Sequence, residues 1–304
     1  MKIFSFLAFA LSMCFPGTSC SASGPLAELV SFTTDDGVQL HGLLYHSQSD
    51  SGSVVIHVSG GPGSFYGTQD MAPLAEKLTE NGLSLLSINM RTAGANGMFY
   101  ANFEDYRRDV GGAVEFSKNH GMRNIFLLGH SLGSTRVVYY VSGANDLNVK
   151  GIILSGAVTS PYQALVEKWN AQQKEAFDEF LAEQRNLIKA GRGKSLSSYP
   201  VDAGIELIHS ASTWVDIFGH PEESNASTVK FADEITVPVL LIHGTDDPIA
   251  PPTNAHEIRD AMVNSPAAEL IIVKGADHVF TQHAEQYSKI VSNWLQKQLR
   301  HASD

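Results

Sequence analysis

The chain has 304 residues, of which 43% are hydrophobic and 17% charged, with a formal net charge of −11. That composition belongs to a globular protein able to bury a sizeable core, and it argues against long disordered tracts. The acidic balance, with no cluster of Lys and Arg, excludes electrostatic attraction to nucleic acid or to anionic lipid, since both are polyanions.

The first predicted element is a leader. Lys2 supplies a positive charge, residues 3–15 are almost wholly apolar, and residues 16–23 are small and polar, which is the order of a secretory signal peptide over residues 1–22. The apolar run is shorter than the about 20 residues that a membrane span needs. Both cysteines, Cys14 and Cys20, lie in this segment. Cleavage after Ala22 therefore leaves a mature chain, 23–304, with neither thiol nor disulfide, dependent on its core for stability. The expected location is the periplasm or the medium. Membrane attachment is expected only if Cys20 is lipidated, against which stands Gly17, three residues earlier, where bacterial lipoprotein leaders usually carry Leu.

Along the mature chain, apolar β-branched runs alternate with segments of helical spacing, the pattern of a mostly parallel sheet with helices on both faces. Strands are expected at 30–33, 38–45, 53–58, 83–89, 125–128, 151–154, 237–242 and 269–273, and helices at 71–80, 103–119, 132–141, 253–262 and 283–299. The first two strands, separated by Asp35, Asp36 and Gly37, read as an antiparallel hairpin at one edge. The rhythm breaks over 160–234, where Leu165, Trp169, Phe177, Phe180, Leu181, Leu187 and Ile188 recur at helical spacing and no strand is evident. This segment is expected to be a helical cap inserted between two sheet strands. Its aromatic residues fit an apolar pocket wall or the cap's own core.

The chemistry-bearing stretch is Gly129-His130-Ser131-Leu132-Gly133, which joins a buried strand to a helix. In that context flanking glycines permit a strained turn that exposes the serine at the top of the sheet. A serine hydroxyl is a weak nucleophile without a base, so a histidine and an orienting acid must follow at later strand ends. They do: one strand runs into His243-Gly244-Thr245-Asp246-Asp247-Pro248-Ile249-Ala250-Pro251, and the last into Lys274-Gly275-Ala276-Asp277-His278.

With these residues the chain resembles the α/β-hydrolase superfamily, whose members carry H-G-x-x-D-x-x-x-P and G-x-x-H at the same two strand ends. The resemblance implies an α/β-hydrolase fold with Ser131 as nucleophile, Asp247 rather than Asp246 as acid, and His278 as base. His57, His130 and His243 are expected to be structural, and Asp277 to be a solvated neighbour of His278. Two donors must hold the oxyanion; the family's pattern implies the N–H of Leu132 and an N–H of the loop 59–64, with Gly61 preferred to Gly60. That loop, Ser59-Gly60-Gly61-Pro62-Gly63, is similar to the H-G-G-P-G of prolyl aminopeptidases, with Ser59 in place of histidine. Asn89-Met90-Arg91-Thr92-Ala93-Gly94 is a degraded form of the family's D-x-R-G-x-G.

The expectation is an exported serine hydrolase acting on a small-molecule acyl substrate, an ester before an amide or peptide, with no metal or organic cofactor. A binding protein that retains the scaffold without the chemistry is the reading from another class. The sequence sets no oligomeric state.

Overall fold

The computed structural model describes residues 27–301, apart from 48, 50, 62, 66–70, 145 and 203–204. The expected leader, with Cys14 and Cys20, lies outside the described residues. In chain order the strands are β1 (Ala27–Thr33), β2 (Gln39–Tyr45), β3 (Ser53–Val58), β4 (Ser84–Ile88), β5 (Asn124–His130), β6 (Val149–Ser155), β7 (Leu196–Asp202), β8 (Ile205–Ser210), β9 (Val239–Gly244) and β10 (Ala268–Val273). The helices are α1 (Ala72–Glu80), α2 (Ala95–Tyr100), α3 (Phe103–Asn119), α4 (Leu132–Ala144), α5 (Pro161–Val166), α6 (Ala171–Lys189), α7 (Ala211–Phe218), α8 (Pro252–Ala261) and α9 (Ala284–His301).

Eight strands form one sheet in the order β1-β2-β4-β3-β5-β6-β9-β10. The β1–β2 hairpin and the β2–β4 pair are antiparallel, and every other pair is parallel. A strand covered on both faces is buried along its length rather than at alternate residues, as all of Ser53–Val58 is. Within β5, Ile125 and Leu127 face the core beneath α3, α4 and α8, whereas Phe126 and Leu128 face the core beneath α1 and α9.

Polar contacts lock the frame. Asn102 caps α3 reciprocally with Asp105, and Arg91 ties that helix to the first hairpin through Asp109 (2.8 Å), Asp105 (3.0 Å) and Asp36 (2.9 Å). The degraded motif around Arg91 thus serves the fold.

Between β6 and β9 lies the inserted segment, and here one expectation fails. It is not strandless: β7 and β8 pair as an antiparallel two-stranded sheet, Leu196 opposite Ser210 and Tyr199 opposite Leu207. Serines and Pro200 disguise β7, since a proline is tolerated on a strand with a free edge. The pair is held by packing, with Tyr199, Val201 and Leu207 against Phe177, Leu181 and Trp214 from α6 and α7. Trp169, Phe177 and Phe180 belong to this cluster, so they form the cap's own core.

Candidate active site

The β5-to-α4 joint is where the sheet presents Ser131. Its φ of +54° is a left-handed conformation that non-glycine residues rarely adopt. The joint is tight on both sides: a Cβ on Gly129 would lie 2.5 Å from the Gly133 carbonyl, and one on Gly133 would lie 2.0 Å from that of Val58. Any side chain there would push the helix off the strands. The Ser131 N–H donates to Ser155 O at 2.9 Å, which fixes the turn against β6.

Asp247 and His278 come from the loops after β9 and β10 and meet, with His278 Nδ1 2.7 Å from Asp247 Oδ2. The other carboxylate oxygen accepts the N–H groups of Ile249 (2.8 Å) and Ala250 (2.9 Å). His243 Nε2 donates to Ala250 O at 2.7 Å and lies 3.4 Å from Asp247 Oδ2. Burial alone would raise the Asp247 pKa, but the contacts from His243, His278 and the Ala250 N–H outweigh it and hold the carboxyl well below the usual carboxylate range. An ionised carboxylate only accepts, so Nδ1 of His278 carries the proton and Nε2 is left as the basic nitrogen.

The surroundings of His278 keep it in place. A Cβ on Gly156 would lie 3.1 Å from its ring, and the His130 ring packs on it at 4.9 Å between centroids. Burial holds His130 neutral, its pKa well below the ordinary value, and pushes that of His57 down to about 4. Their Nδ1 atoms bond to the hydroxyls of Ser155 (3.0 Å) and Ser87 (2.8 Å). Among the described residues no hydrogen bond joins Ser131 Oγ to His278; such bonds are often long in an unliganded site and tighten when substrate arrives. Asp246 instead accepts from the Thr245 hydroxyl (2.7 Å), and Asp277 from the Thr281 N–H (2.8 Å).

The loop after β3 runs against the serine, since a Cβ on Gly60 would sit 2.6 Å from Ser131 Cβ. Three successive carbonyls of it are held. Ser59 O and Gly61 O accept from Arg136 (2.9 and 2.8 Å), and Gly60 O accepts from the Gly63 N–H (3.0 Å). Among the described residues no acceptor takes the N–H of Gly61 or of Leu132. Beside these two residues opens a cavity of about 350 Å³, walled by Met98, Phe99, Leu207, Ile208 and Ile217, with Glu206 among its lining residues. Sequence reasoning missed these walls and Arg136. The described residues hold no cluster of His, Cys, Asp and Glu suited to a metal ion, and no helix long and apolar enough to cross a membrane.

A family model described as serine aminopeptidase, S33, matches residues 53–285. The chain belongs to this family of α/β hydrolases. As an S33 serine hydrolase it has relatives of low identity: a proline iminopeptidase of Clostridium botulinum is 24% identical over 80% of this chain and 89% of the relative. Another, from Clostridioides difficile, is 23% identical over 80% and 88%. Est1E from Butyrivibrio proteoclasticus, solved with ferulic acid bound, superposes with a TM-score of 0.67 at 16% identity, over 89% of this chain and 100% of that one. The α/β hydrolase GrgF from a Penicillium species gives 0.67 at 17%, over 92% and 100%. These likenesses and the sheet order establish the expected α/β-hydrolase fold for this S33 member.

Proposed function

We propose that the protein hydrolyses small carboxylic esters through an acyl-enzyme on Ser131. Ser131 Oγ attacks the acyl carbon while His278 Nε2 takes its proton. Asp247 orients the imidazole and stabilises its charged form. The N–H groups of Gly61 and Leu132 hold the oxygen that becomes negative. His278 returns the proton to the departing alcohol, and a water molecule then repeats the sequence to release the acid and restore Ser131. The observation that carries this reading is the 2.7 Å pair of Asp247 and His278, at the strand ends beside a serine held at φ +54°. An alkoxide leaves more readily than an amine, and the largely apolar cavity suits an acyl group, which supports an ester.

A second reading, removal of an N-terminal residue from a peptide, is favoured by the family and by the proline iminopeptidase relatives. Ser59 stands against it, occupying the place of histidine in the loop of those enzymes. We also infer export, from the leader alone; N-terminal sequencing of the protein from the periplasm or medium, expected to begin at Ser23, tests it.

The mature protein and its Ser131→Ala variant are to be treated with a fluorophosphonate, p-nitrophenyl esters of short and long acyl chain, and proline p-nitroanilide. Labelling and ester turnover in the parent, both lost in the variant, are expected. Turnover of the anilide alone overturns the ester reading in favour of the peptidase. No labelling of the folded parent leaves a binding protein on a hydrolase scaffold.

A further inference from the structure

The helix that follows Ser131 carries a buried charge. Arg136 on α4 is 1% exposed, and among the described residues no carboxylate lies within 4.0 Å of it. A cation in a core is costly unless its donors are used. Here two of them are used on one loop, while Nε has no partner among the described residues. Nη1 donates to Ser59 O at 2.9 Å and Nη2 to Gly61 O at 2.8 Å, while the guanidinium carbon lies 4.5 Å from the centre of the Tyr106 ring.

The two carbonyls belong to the peptide groups on either side of the one that joins Gly60 to Gly61. That middle peptide carries the Gly61 N–H, and its own carbonyl accepts from Gly63 at 3.0 Å. The segment is rich in glycine, with φ of +50° at Gly61 and +77° at Gly63, so its backbone is soft without an external restraint. A planar fork with two donors can grip two carbonyls at once, which a lysine's single ammonium does with less geometric control.

We infer that Arg136 is a positioning residue for acyl transfer: its guanidinium clamps the carbonyls of Ser59 and Gly61 and thereby fixes the Gly61 N–H for the oxygen that turns negative. This rests on the serine-hydrolase reading with Gly61 as an oxyanion donor. Removing a donor of this kind lowers kcat about 100- to 1000-fold, and a donor left in place but loosened should lose the lower part of that range. The positive charge also sits in a low-dielectric interior beneath the loop, where it favours negative charge in the transition state over the neutral ester.

Wild type, Arg136→Met and Arg136→Lys are to be compared in hydrolysis of p-nitrophenyl butyrate and in inhibition by a trifluoromethyl ketone, whose adduct with serine carries the negative oxygen. In Arg136→Met, kcat should fall about 100-fold with KM within about threefold, and the ketone's Ki should rise by the factor by which kcat/KM falls. Arg136→Lys, keeping the charge and losing the fork, should lie between. Unchanged kcat in Arg136→Met, or a fall in kcat/KM with no change in ketone affinity, makes Arg136 a packing residue and overturns the inference. If Arg136→Met does not fold, Arg136→Lys decides: kcat within threefold of wild type overturns it, and a drop of about tenfold or more with a matching rise in Ki supports it. Wild type that is not labelled at Ser131 overturns the underlying reading and this inference with it. Wild type that is labelled, with the variants equally fast, overturns this inference alone.

Discussion

The sheet ends and the inserted cap are built on different physics. At the sheet ends short polar contacts do the fixing: both oxygens of Asp247 are occupied, and three successive carbonyls of the loop 59–61 have donors. The cap is centred on aromatic packing around Phe177 and Trp214, with polar bonds such as those of Tyr162 to Asp178 and Ser197 to Gln184 around it, and its hairpin leaves Leu196, Ile205 and Ile208 exposed. Hydrogen bonds specify geometry to tenths of an ångström, whereas apolar packing specifies volume and tolerates substitution. On the proposed mechanism the chemical step falls to the sheet ends, and the cap, whose Leu207, Ile208 and Ile217 line the cavity, sets substrate fit.

The sharpest test of that division is Asp247→Asn. The amide no longer holds His278 as an ionised acceptor, and kcat should fall about 10⁴-fold while the overall fold persists. Circular dichroism with steady-state kinetics on a p-nitrophenyl ester checks both halves. Trp214→Ala acts on the other region: Trp214 is fully buried and its Nε1 donates to Ser197 O at 3.0 Å. Denaturant unfolding should register a loss of about 3–5 kcal/mol, with KM raised and Ser131 still labelled by a small fluorophosphonate. Loss of labelling would erase the distinction between the two regions.

Acid should single out the sheet ends. Burial lowers the His57 pKa to about 4, whereas an unfolded histidine titrates near 6.5. The unfolded state therefore binds the proton first, so stability is full above about pH 6.5 and falls by about 3 kcal/mol on going down to pH 4. His130 acts in the same direction. Buried Asp109, its pKa raised to about 6, acts oppositely, so the contrast between proteins is the readout: denaturation curves from pH 7 to 4 should lose stability more steeply in wild type and Trp214→Ala than in His57→Asn, and equal slopes in wild type and His57→Asn rule the account out. The smallest effect belongs to Asp246→Asn, whose carboxylate, among the described residues, accepts only from the neighbouring Thr245 hydroxyl. Its kcat/KM should stay within about threefold of wild type; a large loss would reassign the acid.

What was readable in the sequence follows the same line. The eight strands of the sheet, the Ser131 turn and the placement of Asp247 over Asp246 at His278 each depend on residues close together in the chain, or on strand ends that the parallel order must bring side by side. Arg136 was invisible because an arginine in a helix reads as surface, and its acceptors Ser59 and Gly61 lie more than 70 residues away. The hairpin β7–β8 was hidden because its strands gain stability only against α6 and α7. The six residues of α2 are too few to show a period, yet Met98 and Phe99 wall the cavity.

The strands that bracket the cap are immediate neighbours in the sheet, with Ile152 of β6 paired to Val239 of β9. The whole insertion is therefore a closed excursion whose ends are pinned one strand spacing apart. Closing such a loop depends only logarithmically on its length, so doubling it costs about 0.6 kcal/mol. Evolution can lengthen, trim or exchange this excursion while β6 and β9 stay paired, and descendants of one hydrolytic machine can diverge in what they admit without the sheet having to be invented again.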